Sequence, residues 1–286
     1  MKFLIIEGSI HHKNKEALYK ILDNMGVTYK EGRDNNIEDY DIIYMPSTTY
    51  DSSKYPDKKF IFGPHLSVFP NNELLKINNK NKNSVYIQPS EWVAKVWKNM
   101  GVENVLPIMV MPFCVNVDKF KPDDKIKKEE VFIYTKRRDP REIYMIEKYL
   151  KDNYIKYKIF DYVNSYKEED YLNCLKKSKY GIIIDAHESQ GFAIEEALSC
   201  NVPLLVWNTR TMDQEFGSRY KEIECTTIPY WDKRCGEYFY KESDFEIIYK
   251  DFINNLDSYK PREYILENLT TNKCTEVLTN IINTLK

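Results

Sequence analysis

Short apolar runs alternate with longer amphipathic stretches from one end of the chain to the other, the pattern of strands and helices that build parallel sheets. Phe3–Ile6 reads as a buried strand, and Lys15–Met25 as a helix with Ala17, Leu18, Ile21, Leu22 and Met25 on one face, ended by Gly26. Strands follow at Asp41–Met45, Lys59–Phe62 and Val85–Ile87. Ser90 suits the N-cap of a helix that runs to about Met100 and closes at Gly101, and Val105–Met111 is the next strand. Between Pro112 and Glu130 the pattern breaks into prolines, Asn116, Asp118 and a charged run, which reads as a connection between domains. A second series then begins. Strands at Val131–Tyr134, Tyr157–Phe160, Tyr180–Ile184 and Val202–Trp207 alternate with helices at Pro140–Leu150, Lys167–Lys177 and Gly191–Cys200. The fold class is therefore α/β, with two Rossmann-like domains whose parallel sheets face a central cleft: residues 1–112, which are short for such a domain, and residues 113–286. Arg262–Leu285 is helical in pattern, and its last helix is placed to pack back on the N-terminal domain.

Composition narrows the function classes. Of 286 residues 42% are hydrophobic and 14% aromatic, enough for packed cores rather than disorder. The 42 basic and 44 acidic residues leave a formal charge of −2, which argues against broad electrostatic binding to nucleic acid or an anionic membrane. No apolar run approaches the ~18 residues of a membrane span, and Met1–Glu7 meets charge too soon for a signal peptide. Cys114, Cys174, Cys200, Cys225, Cys235 and Cys274 show no C-x-x-C spacing, which fits a reduced, cytoplasmic setting.

The chemistry concentrates in Ile182-Ile-Ile-Asp-Ala-His-Glu188-Ser-Gln-Gly191-Phe-Ala-Ile-Glu-Glu196-Ala-Leu-Ser-Cys-Asn201-Val-Pro203. A loop that follows a strand and opens a helix lies at the carboxyl edge of the sheet, where ligands bind in doubly wound folds. Gly191 lets backbone come close to a ligand, and the N–H groups of the first helical turn favour phosphate. With Ile194, Ala197 and Leu198 on the core-facing stripe, Glu196 points roughly two-thirds of a turn away from it, toward the cleft. Two glutamates at this spacing, taken alone, also read as a loop charge and a solvated helix residue. The strand, loop glycine, helix, helix stop and Val-Pro-led strand in that order favour the functional reading.

The segment resembles the Glu-x7-Glu signature of retaining GT-B glycosyltransferases, the glycosyltransferase group 1 family. Two stretches agree with it: Gln88-Pro-Ser-Glu-Trp-Val-Ala-Lys-Val-Trp-Lys-Asn-Met-Gly101, and Val110-Met-Pro-Phe-Cys-Val-Asn-Val-Asp118-Lys-Phe120-Lys-Pro122. The resemblance spans about Ser90 to Trp207 and implies a GT-B fold and a nucleotide-sugar donor. It assigns Glu188 to hydroxyls of the donor sugar, Gly191 and Phe192 to the diphosphate, and Glu196 to the ribose. Where the family has Gly-Arg and then Lys, this chain has Thr135-Lys-Arg-Arg-Asp-Pro-Arg141. Lys136 and Arg138, two apart in an extended segment, would point the same way and clamp the leaving diphosphate, with Arg141 in reserve; composition alone fits a solvated loop equally. Glu195 replaces a usually apolar residue, and Cys114-Val-Asn116 stands where glycine is common.

Gly8-Ser-Ile-His-His12 and Gly63-Pro-His65 follow strands of the first domain and belong to the same cleft. Gly8 is assigned to donor contact and His65 to the neighbourhood of the reacting sugar, an ordinary loop histidine being the alternative. Neither histidine cluster has metal-ligand spacing, and no D-x-D motif has strand-end context, so no metal and no cofactor beyond the nucleotide-sugar co-substrate are expected. Tyr230–Gly236 suits sugar or base contact, or a packed structural loop. The function expected is transfer of a hexose-type unit, with retention, from a nucleotide-diphosphate sugar to a hydroxyl on a glycan, lipid-linked or protein acceptor. The alternatives are a nucleotide-sugar epimerase or hydrolase and a non-catalytic nucleotide-sugar-binding protein.

Overall fold

The computed structural model describes residues 1–65, 67, 69–70 and 82–286, with backbone alone at 34–36. The chain divides into two compact units, Met1–Cys114 together with Leu269–Lys286, and Val115–Asn268.

In the first unit six strands, β1 (Lys2–Ile6), β2 (Thr28–Gly32), β3 (Ile42–Met45), β4 (Lys59–Phe62), β5 (Ser84–Gln88) and β6 (Ile108–Val110), form one sheet in the order β2-β1-β3-β4-β5-β6. Every pairing is parallel. Central strands covered on both faces are near-continuous apolar runs, as Phe3–Ile6 of β1, Ile42–Met45 of β3 and Phe60–Phe62 of β4 are. β2 carries Thr-Tyr-Lys-Glu-Gly, mostly exposed, and its place at the edge explains why no hydrophobic run announces it. Helix α1 (His12–Asn24) buries Ala17, Leu18, Ile21 and Leu22, and α2 (Glu91–Asn99) buries Val93, Ala94, Val96 and Trp97.

The second unit holds β7 (Glu130–Lys136), α3 (Pro140–Asp152), β8 (Lys158–Asp161), α4 (Glu168–Lys177), β9 (Ser178–Asp185), α5 (Phe192–Ser199), β10 (Leu204–Trp207), β11 (Gly236–Phe239), α6 (Phe245–Asn254) and α7 (Pro261–Asn268). Its sheet, again parallel, runs β11-β10-β9-β7-β8. Ile133, Ile182, Ile184, Leu205, Trp207 and Phe252 fill one side. Phe132, Tyr134, Phe160 and Tyr171 form an aromatic cluster on the other. Arg262 at the start of α7 donates to the carbonyls of Val117 (3.2 Å), Phe120 (3.1 Å) and Ser199 (2.6 Å), which ties the expected connecting segment to this unit.

The last helix, α8 (Thr271–Thr284), belongs to the first unit. It buries Cys274, Leu278, Ile281 and Ile282, packs on α1, and takes a bond from Asn24 Nδ2 to Thr275 Oγ1 at 3.1 Å. Among the described residues no helix is long and apolar enough to cross a membrane. In each unit the chain starts in the sheet interior, adds a strand on one side, then crosses to the other. The direction reverses between β1 and β3 and between β7 and β9, the two places where a doubly wound sheet opens to a ligand.

Candidate functional site

In the second unit both strands that flank the reversal end in ionisable groups. Lys136 ends β7, and its Cα partner across the ladder is Asp185, which ends β9. Beyond them the ladder continues by one bond, Ala186 N–H to the Lys136 carbonyl at 3.0 Å, and the chain then turns away. The loop from Ala186 to Gln190 is fixed from below. Glu188 N–H donates to the Thr226 carbonyl at 3.1 Å, and Thr227 Oγ1 donates to the Ala186 carbonyl at 2.7 Å. Asn208 Oδ1 in turn accepts from Thr227 N–H and Thr226 Oγ1, at 2.8 and 3.0 Å.

The Glu188 carboxylate, held by that loop, accepts a hydrogen bond from Lys136 Nζ, and the two side chains are only 15% and 17% exposed. Burial alone would push Glu188 up. The Lys136 charge and the hydrogen bonds from Asp185 and Lys136 outweigh it and hold the carboxyl below its usual range. Burial likewise opposes the charge on Lys136, and the carboxylates of Glu188 and Asp185 overcome it, so that Lys136 stays firmly cationic. The Tyr162 ring completes the surroundings of the ammonium, 4.6 Å from Nζ to the centroid. His187, between the two carboxylates in sequence, has its Nδ1 3.5 Å from Glu215 and its ring against Tyr220. Burial pushes its imidazole below the ordinary value, against the pull of Glu215 and Glu188.

Gly191 caps α5 with φ 88°, a left-handed conformation that would strain any residue with a Cβ, even though the nearest atom to such a Cβ is 3.7 Å away. The glycine is there for backbone conformation rather than for space. Its turn sets the first-turn N–H groups of Phe192 and Ala193 at the end of the loop that carries Glu188, and such groups have no intrahelical acceptor. Glu195 and Glu196, on α5, are both buried, at 1% and 3% exposure. Glu195 accepts from Gln190 Nε2 at 2.7 Å, which accounts for a carboxylate where an apolar residue is usual. Glu196 lies toward the aromatic cluster: burial, and after it the Glu196 charge, pushes the Tyr166 hydroxyl up.

Lys136, Glu188, Gly191 and Phe192 thus come together around one loop. Arg138 does not join them. The extended segment expected to aim Lys136 and Arg138 the same way ends at Lys136, because Arg137 turns with φ 52°. Arg138 is buried inward, with Nε and Nη2 on the two oxygens of Glu142 at 2.8 Å and Nη1 on the carbonyls of Asp185 (3.0 Å) and Trp207 (2.9 Å). All its hydrogen bonds bind β7, β9, β10 and α3 to one another. Arg141 is exposed and paired with Asp139 at 2.6 Å, in the local turn that caps α3. In Tyr230–Gly236, whose last residue opens β11, Arg234 pairs with Asp232 and Glu267.

In the first unit Gly8 follows β1, and a Cβ there would meet Ser47 Oγ at 2.7 Å; that hydroxyl donates to the Ser9 carbonyl at 2.6 Å and joins the loops after β1 and β3. His65 follows β4, half-buried, its Nδ1 accepting from Ser67 N–H at 3.0 Å. Asp185, His187, Tyr162 and Glu215 escaped the sequence reading. Asp185 had a signal: a carboxylate closing the apolar run Ile182–Ile184 falls at a sheet's carboxyl edge. Glu215 and Tyr162 come from distant segments and had none.

No family model matches the chain, and no curated protein matches it in sequence. Solved structures match in fold. TarM is 17% identical with a TM-score of 0.54, the match covering 85% of this chain and 54% of TarM. The catalytic domain of starch synthase IV from Arabidopsis thaliana, bound to ADP and acarbose, is 9% identical with a TM-score of 0.53, over 96% of this chain and 78% of that one. The N-terminal domain of trehalose-6-phosphate phosphatase from Candida albicans is 10% identical with a TM-score of 0.58, over 99% and 97%. The chain spans about half the length of TarM. At these identities the likeness is one of fold: two Rossmann-like units with parallel sheets, as in GT-B glycosyltransferases.

Proposed function

We propose that this protein is a retaining glycosyltransferase that moves a hexose-type unit from a nucleotide-diphosphate sugar to a hydroxyl acceptor, without a divalent metal. The observation that carries the reading is the Lys136–Glu188 pair at the strand reversal of the second unit, beside the N-terminus of α5. An ammonium there can leave the carboxylate for a diphosphate, and the N–H groups of Phe192 and Ala193 add donors to the same anion. Glu188, released from Lys136 but still ionised, then accepts hydroxyls of the donor sugar, and Glu196 serves the ribose. The anomeric C–O bond to the diphosphate breaks while the acceptor oxygen bonds to the same face, and a phosphate oxygen takes the acceptor proton. Lys136 and the helix N–H groups stabilise the charge that builds on the leaving group, the part a divalent ion plays in other transferases. The fold supports the reading, as does ADP in the starch synthase structure.

Incubation with a panel of UDP-, GDP- and ADP-sugars should release nucleotide slowly without acceptor and faster with it. Glu188→Ala and Lys136→Met should each lower the rate about 100-fold or more, the scale for losing a charge-stabilising group. Tight binding of free nucleotide with no turnover from any donor and acceptor would sink the transferase reading in favour of a binding protein.

A further inference from the structure

Asp185 is a third ionisable group in the cluster of Lys136 and Glu188. It is wholly buried at the end of β9, where its side chain meets the Glu188 carboxylate and the Ala186 backbone N–H. Its backbone is pinned as well, the carbonyl accepting from Arg138 Nη1 at 3.0 Å and from Thr227 Oγ1 at 3.2 Å. The charged and titratable groups around it are Lys136 and Tyr134 of β7, Arg138 at its carbonyl, and Glu188 and His187 of the loop. Burial first, and then the Glu188 charge, raises its carboxyl well above the usual range, with Lys136 opposing. Two carboxyls and one ammonium in a buried cluster carry a net negative charge if both acids ionise and none if they share one proton. Like charges in a site that excludes water favour the shared proton. A protonated Asp185 has an O–H to give, and the neighbouring carboxylate of Glu188 is an acceptor for it.

We propose that Asp185 is a positioning residue that keeps one proton at neutral pH and donates it to Glu188, holding that carboxylate ionised and in place when an anionic ligand draws Lys136 away. Without Asp185, Glu188 would have to take up a proton itself or turn toward other donors once Lys136 had left. The catalytic consequence rests on the transferase reading; the shared proton does not.

The test labels the aspartate side-chain carboxyls with ¹³C, assigns the Asp185 signal by its loss in Asp185→Asn, and follows it by NMR from about pH 5 to about pH 9. Asp185 should be protonated at neutral pH in the unchanged protein and ionised in Glu188→Gln, where Lys136 turns to it. An ionised Asp185 in the unchanged protein, or a signal indifferent to Glu188→Gln, overturns the proposal. In the nucleotide-release assay Asp185→Leu should lower kcat roughly 10- to 100-fold with little change in KM, the rate equivalent of a lost hydrogen bond to a charged group. Asp185→Asn keeps a donor that cannot ionise, so it should recover most of that loss and remove the fall in rate at alkaline pH. Equal losses in the two variants would mean a structural role only and overturn the proposal. If no donor releases nucleotide, the transferase reading falls while the carboxyl titration still decides the shared proton.

Discussion

Which charged side chains near a sheet edge can act on a ligand depends on what each already holds. Arg138 and Lys136 stand two apart, yet Arg138 is committed to a carboxylate and two carbonyls, whereas Lys136 holds a single carboxylate that an anion can replace. Asp185 has a measurable thermodynamic signature. Folded, it keeps its proton well above the ordinary value of 3.8; unfolded, it releases the proton near that value. Between those two pKa values unfolding releases a proton, so Asp185 costs stability increasingly as pH rises through this window. Asp185→Asn cannot ionise in either state. Its melting temperature should match the unchanged protein below about pH 4 and exceed it progressively as pH rises above that. Thermal melts across pH read this directly, and a difference that shrinks toward neutral pH would contradict the assignment.

Among the elements, two edge strands, β2 and β11, were hidden from hydrophobic pattern, whereas the edge strands β6 and β8 were legible. β2 is mostly exposed, and β11 begins at Gly236, inside a stretch whose aromatic and charged residues read as a loop. Gly236 has φ 133°, and a Cβ there would stand 2.0 Å from the Leu204 carbonyl oxygen of the neighbouring strand. Backbone cannot yield as the tip of a side chain can. Gly236→Ala should therefore destabilise the second unit by about 3 kcal/mol or more, by combined backbone strain and overpacking, and detach β11 from β10. Urea unfolding gives the loss, and amide exchange at Leu204–Trp207 should quicken with it. Central strands and long helices were legible because each buries a whole run or a whole stripe. The residues of the Glu-x7-Glu segment were legible because local order places them: strand end, loop, left-handed cap and helix follow one another within a few residues.

For the whole molecule, the order of folding units differs from the order of the chain, since the first unit takes its last helix from the far end. Three buried aliphatic side chains of α8, Leu278, Ile281 and Ile282, contribute about 5 kcal/mol or more to that unit by the area they remove from water. Truncation after Asn268 should thus lower the stability of the first unit severely, while Val115–Asn268 keeps its native amide-exchange protection. Hydrogen exchange followed peptide by peptide separates the two; uniform loss of protection across both units would show that they do not fold independently.

The sequence by itself determined the α/β class, the two successive series of strands and helices, and the segment that carries Glu188, because those features depend on neighbours within a strand or a turn. Lys136 was also legible, as the cation at a strand end. Only the tertiary structure decided that Arg137 turns the chain and buries Arg138, that Asp185 stands across the ladder from Lys136, and that Glu215 and Tyr162 come to His187 and Lys136 from elsewhere in the chain. Hydrophobic period records which face of an element is buried. It does not record which other strand lies beside it, and the charge state of a buried acid is set by that neighbour.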